Sequence, residues 1–115
     1  MRAEKLQKRA ARVGFDWPNL DGVFAKIIEE TQEVTEAIEA GDKDAIEDEI
    51  GDLIFAVTNL ARKTGIDPEH ALRRTNDKFS KRFKYIEAQA KAKGNDIWQL
   101  SLDEMEAMWQ TAKDR

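Results

Sequence analysis

Apolar residues recur along this chain three and four positions apart, the spacing that lines one face of an α-helix rather than the alternation of a strand. At about 100° per residue, the segment beginning at Leu20 gathers Leu20, Phe24, Ile27, Ile28, Thr31, Val34 and Ile38 on one face. The next segment does the same with Ile46, Ile50, Leu53, Ile54, Val57 and Leu60, and the one after it with Leu72, Thr75, Phe79, Phe83 and Ile86. Three long amphipathic helices predict an all-α antiparallel bundle with these stripes as its core. Phe55 projects from nearly the opposite side of its helix, and Phe15, Trp17, Ile97, Trp98, Met105, Met108 and Trp109 also need burial. A second packing surface is therefore expected, and a homodimer is its natural source.

The residues between the stripes divide the chain cleanly, because helix-ending glycines alternate with helix-starting polar residues. A short helix from about Glu4 to Val13 ends at Gly14, and Asp16-Trp17-Pro18 then interrupts helical geometry because proline disfavours it in the residue before. Asn19 caps a second helix to about Ala40, closed by Gly41, whose lack of a Cβ suits the left-handed terminating position. Asp42 caps a third to about Thr64. A fourth begins with Asp67 as cap and Pro68 in its first turn and ends near Gly94. The last starts with Ser101 three residues before Glu104, a capping box, with Leu100 and Met105 placed as a hydrophobic staple.

Composition narrows the class. The chain has 115 residues, 41% hydrophobic and 37% charged, which suits one helix-rich domain spanning residues 1–115. A formal charge of −4 argues against a protein that wraps duplex nucleic acid. The absence of cysteine excludes disulfides and thiolate zinc sites. Charges run through Met1 to Arg12 with no apolar leader, and no segment reaches transmembrane length, so the expectation is a soluble cytoplasmic chain without a membrane partner.

The acidic residues are not evenly spread. Lys26, Glu30, Glu33 and Ala37 form one strip beside the core stripe of the second helix, and Glu49, Asp52, Ala56 and Asn59 form one on the third. The tight Gly41-Asp42 turn makes these helices antiparallel neighbours, so the four carboxylates can converge. Left alone they would repel or raise one another's pKa; a hard dication resolves this, and magnesium takes oxygen ligands while leaving positions for substrate phosphates. Spacing of this kind on a charged helix is ordinarily solvated surface. Two matched pairs on consecutive helices, with small alanines on the same strips, weigh towards a metal site, and Glu29 is a candidate to support it. Glu36, Glu39, Glu47 and Asp48 read as solvated charges.

The fourth helix carries Lys78, Arg82 and Tyr85 on a strip beside its core face, where cations would neutralise phosphate oxygens. Arg73, Arg74, Lys81 and Lys84 read as an ordinary basic face. In the last helix Trp109 and Lys113 share one side, an aromatic plane and a cation that suit a base or, equally, a packing contact. His70 stands alone, without the second histidine or cysteine of a zinc site, and no glycine-rich phosphate loop is present.

Lys26-Ile-Ile-Glu29-Glu30-Thr-Gln-Glu33 followed by Glu49-Ile-Gly-Asp52 resembles the E-E-x-x-E then E-x-x-D signature of MazG proteins. The likeness continues through Asn59 and Arg62, Asn76-Asp-Lys78-Phe79, Arg82-Phe83 and Met108-Trp109 with Lys113, and includes Ala11 to Trp17. The resemblance implies an all-α NTP pyrophosphohydrolase fold, a dimer or higher assembly, and magnesium-dependent cleavage of nucleoside triphosphates to monophosphate and pyrophosphate as house-cleaning of the nucleotide pool. Manganese is an alternative ion to magnesium. By position, Glu30, Glu33, Glu49 and Asp52 would be the metal ligands and the catalytic set. Lys78 and Arg82 would meet the phosphates, Trp109 and Lys113 the nucleotide, with Lys26 and Asn59 assisting. Metal ions in such a set polarise phosphoryl oxygens and acidify water, so no separate protein nucleophile is implied. Bacterial members often have two related halves and this chain holds one, as a stand-alone form or an excised domain. Rival readings are a dUTPase-like selective phosphohydrolase using the same acids, or a non-catalytic helical interaction module whose acidic groove takes a basic partner.

Overall fold

The computed structural model describes residues 1–115 and contains five α-helices and no strand. They are α1 (Arg2–Arg12), α2 (Leu20–Ala40), α3 (Lys43–Lys63), α4 (Pro68–Ala92) and α5 (Leu102–Lys113), with a single 3-10 turn at Ile97–Gln99. The predicted stops and starts hold to within two residues at most ends. The chain forms two compact units, Met1–Ala71 and Leu72–Arg115, and their boundary falls near the start of α4. No helix is long and apolar enough to cross a membrane.

In the first unit α2 and α3 pack along their length and α1 lies on α3. Gly41 makes the reversal possible: at φ 70° it occupies the left-handed region, and its N–H donates back to the Ile38 carbonyl. Asp42 then opens α3 by accepting from the N–H groups of Asp44 (3.1 Å) and Ala45 (3.2 Å). Asn19 does the same for α2 through the N–H of Asp21 at 3.0 Å. The segment between α1 and α2 is pinned to the end of α3. There the Arg62 guanidinium reaches Asp16, and Lys63 Nζ reaches both Asp16 (3.3 Å) and the Trp17 carbonyl (2.6 Å).

Burial in this unit departs from the predicted stripes. The residues most hidden are Val23, Glu30 and Ala37 on α2, Ala56 and Thr58 on α3, and Gln7 on α1. On α2, Phe24, Ile28 and Ile38 are exposed, and so are Ile50, Ile54 and Val57 on α3, with Ile28 at 61% and Ile54 at 57%. The reason is geometric. A pair of helices hides only the strip along its own seam, and α1 covers the side where the alanines and acids lie. The large apolar stripe is left on the other side, with nothing from this unit over it.

The second unit comprises the body of α4, the 3-10 turn and α5. Its core is Ile86, Ala90 and Leu100, with Ile97, Met105, Met108 and Trp109 packed against it. The capping box forms as predicted: the Glu104 N–H donates to Ser101 Oγ (3.1 Å) and the Ser101 N–H to Glu104 Oε1 (3.0 Å). Those bonds hold the Glu104 carboxyl below its usual range. Leu100 and Met105 flank the cap in this core, as a staple requires. Of the α4 stripe, Ile86 is buried, whereas Leu72, Phe79 and Phe83 remain exposed.

Candidate active site

The two predicted acidic strips meet in the first unit. One carboxylate oxygen from each of Glu30, Glu49 and Asp52 lies within 4.8 Å of the others. Glu30 is 3% exposed, an unusual place for a carboxylate. Its Oε1 is met by Lys26 Nζ at 3.0 Å, and Lys26 also touches Glu29 at 3.6 Å. The Glu30 carboxylate raises the Lys26 ammonium above its ordinary pKa, fixing the cation there. Glu30 Oε2 and Glu49 Oε2 are buried with no hydrogen-bond partner.

The fourth predicted ligand, Glu33, is not among the three converging oxygens and adjoins the cluster through Glu49. A hydrogen bond with the Glu49 carboxyl, then burial, then the charges of Glu30, Glu49 and Glu29 push Glu33 up from 4.5 to about 7. Glu33 therefore keeps its proton over much of the range in which carboxylates are ordinarily bare.

These residues fit a dication. Two buried oxygens without donors are what an acidic site leaves when its charge is to be met by an ion rather than by protein N–H groups. Ligand oxygens of an octahedral magnesium stand about 3 Å apart when adjacent and about 4 Å when opposite. A set already within 4.8 Å needs little closure.

Beside the cluster, and bounded by Lys26, Glu30 and Asp52, opens a pocket of about 740 Å³. Leu6, Gln7 and Ala10 of α1 form part of its wall, with Phe15, Trp17 and Phe55 as its aromatic residues. Its polar end is a relay. Arg62 holds Asp16 on one side and donates to Asn59 Oδ1 on the other, from Nε at 3.1 Å and Nη2 at 2.7 Å. Trp17 lies so close to α2 that a Cβ on Gly22 would stand 2.5 Å from its ring.

The pocket explains Phe55, which lies off the apolar stripe of its helix, and assigns a wall to the segment from Gly14 to Trp17. Gln7 is the residue that sequence reasoning missed. It sits in a charged helix with no motif, and only its burial at 6% exposed distinguishes it.

The other predicted contacts belong to the second unit. Lys78, Arg82 and Lys113 come together around a basic pocket of about 620 Å³. Lys81, Lys84 and Arg115 join them, although the first two read as ordinary surface in the sequence. Tyr85 lines the same pocket and lies under the Arg115 guanidinium, 4.8 Å from the ring centre. Trp109 is not among the lining residues. It packs on the core, tilted against Phe79 at 5.4 Å, with Arg82 over its ring at 5.4 Å.

Comparison with known proteins places this arrangement. Residues 20–86 match the family description of the MazG nucleotide pyrophosphohydrolase domain, a stretch that contains all four carboxylates. The chain is similar to the nucleoside triphosphate pyrophosphohydrolase of Escherichia coli (strain K12), at 46% identity over 98% of this chain and 44% of the relative. It is 40% identical to the nucleoside triphosphate pyrophosphohydrolase/pyrophosphatase MazG of Thermotoga maritima, over 96% of this chain and 42% of that protein. A shorter likeness, 48% over 57% of this chain and 14% of the relative, links it to the uncharacterized protein YabN of Bacillus subtilis. The chain spans less than half the length of the relatives it matches.

Proposed function

This chain belongs to the MazG nucleotide pyrophosphohydrolase family, and from that membership we propose that it hydrolyses nucleoside triphosphates to monophosphate and pyrophosphate with magnesium held by Glu30, Glu33, Glu49 and Asp52. The observation that carries the reading is the convergence of Glu30, Glu49 and Asp52, with one carboxylate oxygen of each within 4.8 Å of the others, in a cluster where Glu30 and Glu49 each also have a buried, partnerless oxygen. When bound, magnesium, or manganese in its place, supplies Lewis-acid chemistry: charge that stabilises phosphoryl oxygens and acidifies water.

The protein's own residues do the rest. Glu33 would give up its proton on dication binding to the cluster, so metal affinity would be coupled to pH. Lys26 offsets part of the cluster's negative charge, and its ammonium has a donor beyond the two carboxylates it touches. The aromatic pocket beside the cluster suits a nucleobase, with a volume in the range of small-molecule sites and an apolar wall interrupted by few polar groups. Asn59 at its polar end is a substrate contact. In the second unit Lys78, Arg82 and Lys113 supply cations suited to phosphate oxygens, and Trp109 supports Arg82 from beneath.

We read residues 1–115 as one catalytic domain acting on the cytoplasmic nucleotide pool as a homodimer. The exposed stripe of Phe24, Ile28, Ile50 and Ile54 supports the dimer, since a contiguous apolar face of this kind marks an association surface.

The test is pyrophosphate release from each ribo- and deoxyribonucleoside triphosphate, with magnesium and with chelator, on wild type and Glu49→Gln in parallel. Release that needs both the ion and Glu49 is expected. Release unaffected by chelator would overturn the metal assignment, no release with any triphosphate would overturn the activity, and release from dUTP alone would replace it with a selective phosphohydrolase.

A further inference from the structure

The Gln7 amide is 6% exposed and stands in the wall of the aromatic pocket. Its Nε2 donates to the Phe55 carbonyl at 2.9 Å. A carbonyl only accepts, so this bond decides which end of the amide faces α3, and Oε1 is left as the free end. That oxygen is buried with no hydrogen-bond partner. The Phe55 carbonyl lies inside a helix, so the amide is not needed to satisfy it, and holding the amide's orientation is what the bond accomplishes. A buried acceptor kept in one orientation and left unmet by the protein is costly unless a ligand or an ordered water supplies the donor.

The rest of the pocket says what kind of ligand that is. Phe15, Trp17 and Phe55 offer aromatic surface for a flat, weakly polar ring. Asn59 has its Oδ1 taken by Arg62, which leaves its Nδ2 as a donor in the same pocket. An acceptor and a donor in one aromatic-lined pocket are the polar groups that a heteroaromatic base, which carries N–H groups together with ring nitrogens or carbonyls, can meet. Lys26, Glu30 and Asp52 bound the same pocket, so the phosphates of a nucleotide whose base lies there would be near the acidic cluster.

We propose that Gln7 determines base specificity, its Oε1 accepting an N–H from the nucleobase and thereby rejecting bases that lack a donor at that place. This rests on the reading of the site as a nucleoside triphosphate pyrophosphohydrolase centre and assigns a residue that none of the signature positions contains.

The experiment measures binding rather than turnover. Calorimetry with magnesium and α,β-methylene triphosphates compares three pairs, each a base and its donor-deleted partner: adenine with unsubstituted purine, cytosine with 2-pyrimidinone, and uracil with 3-methyluracil. In wild type at least one parent should bind roughly 10- to 100-fold tighter than its partner, the scale of one hydrogen bond to a buried acceptor. Gln7→Met should bring that ratio to within about 3-fold, while inorganic tripolyphosphate binds both proteins alike. A purely structural role for Gln7 would instead weaken parent and partner equally and leave the ratio intact, which would overturn the proposal. If the variant does not fold, the wild-type pairs decide by themselves, and ratios near one in all three would overturn it. Absence of pyrophosphate release from the parent triphosphates would count against the activity alone, because the binding ratios judge Gln7 without it.

Discussion

Arg62 grips Asp16 with both arms of its guanidinium, Nη2 to Oδ1 at 2.6 Å and Nη1 to Oδ2 at 3.3 Å, across 46 positions of sequence. The contact ties the segment that carries Phe15 and Trp17 to the end of α3. The same guanidinium holds Asn59, so one side chain orders both the aromatic and the polar ends of the pocket.

Arg62→Lys should therefore damage the pocket more than the fold. A lysine cannot hold a carboxylate two-pronged and reach an amide oxygen at once. The expected stability loss is about 1 kcal/mol, the upper end for a partly exposed ion pair. Nucleotide affinity should fall further, by roughly 10-fold, as Asn59 and Trp17 lose their positions together. Urea denaturation and calorimetry on one preparation separate the two effects. The Arg62 hydrogen bond holds the Asp16 carboxyl below 3.8, so the pair's contribution is present above that pH and is lost as pH falls through the folded-state value.

Glu33 has the opposite sign. In the folded, metal-free protein it keeps its proton up to about 7, whereas an unfolded chain releases it near 4.5. Between those values the folded state binds the extra proton, so stability should be greatest at the acid side and fall as pH rises through 7. Thermal melts in chelator from pH 5 to pH 8 should show this decline, and Glu33→Gln should flatten it. Magnesium should raise the melting temperature most at the alkaline end, where the cluster is bare. A wild-type profile that rises with pH over this interval would overturn the retained proton on Glu33.

Gly22→Ala sets two effects against each other. Alanine favours a helix over glycine by about 1 kcal/mol. Its methyl, however, would meet the Trp17 ring at 2.5 Å, and neither a helix backbone nor an indole gives way easily. Overpacking of this kind costs about 1–3 kcal/mol, so net destabilisation or displacement of Trp17 is expected. Tryptophan fluorescence with and without nucleotide, alongside the denaturation midpoint, reports which occurs.

Ile54→Glu tests the open apolar face. Burying an isoleucine contributes about 1.5–3 kcal/mol, and in a two-fold interface the loss is counted twice. Sedimentation should show wild type at twice the chain mass and the variant shifted towards a single chain. An unshifted variant would place the association surface elsewhere.

Asp52→Asn should abolish turnover while leaving the helical fold intact or more stable, since one negative charge leaves a crowded cluster. Circular dichroism melts and pyrophosphate release measured together check both halves of that outcome.

The helices were legible in the chain because what starts and stops them is local. Gly41, Asp42, Asn19 and the Ser101–Glu104 pair act on backbone groups within a few residues, and the structure uses each of them as its chemistry requires. The convergence of Glu30, Glu49 and Asp52 was legible for a related reason: a short turn fixes two helices as neighbours, and helical periodicity then fixes which strips meet. What tertiary structure alone decided was burial. Periodicity marks an apolar stripe but does not say what covers it, and in the first unit α1 came to lie over the small and acidic side, leaving Ile28 and Ile54 open. Gln7 carries no local signal at all; it became a pocket residue only when α1 docked on α3 and the Phe55 carbonyl turned its amide. Local interactions are written in the order of residues, whereas the desolvation of one side chain depends on atoms 48 positions away.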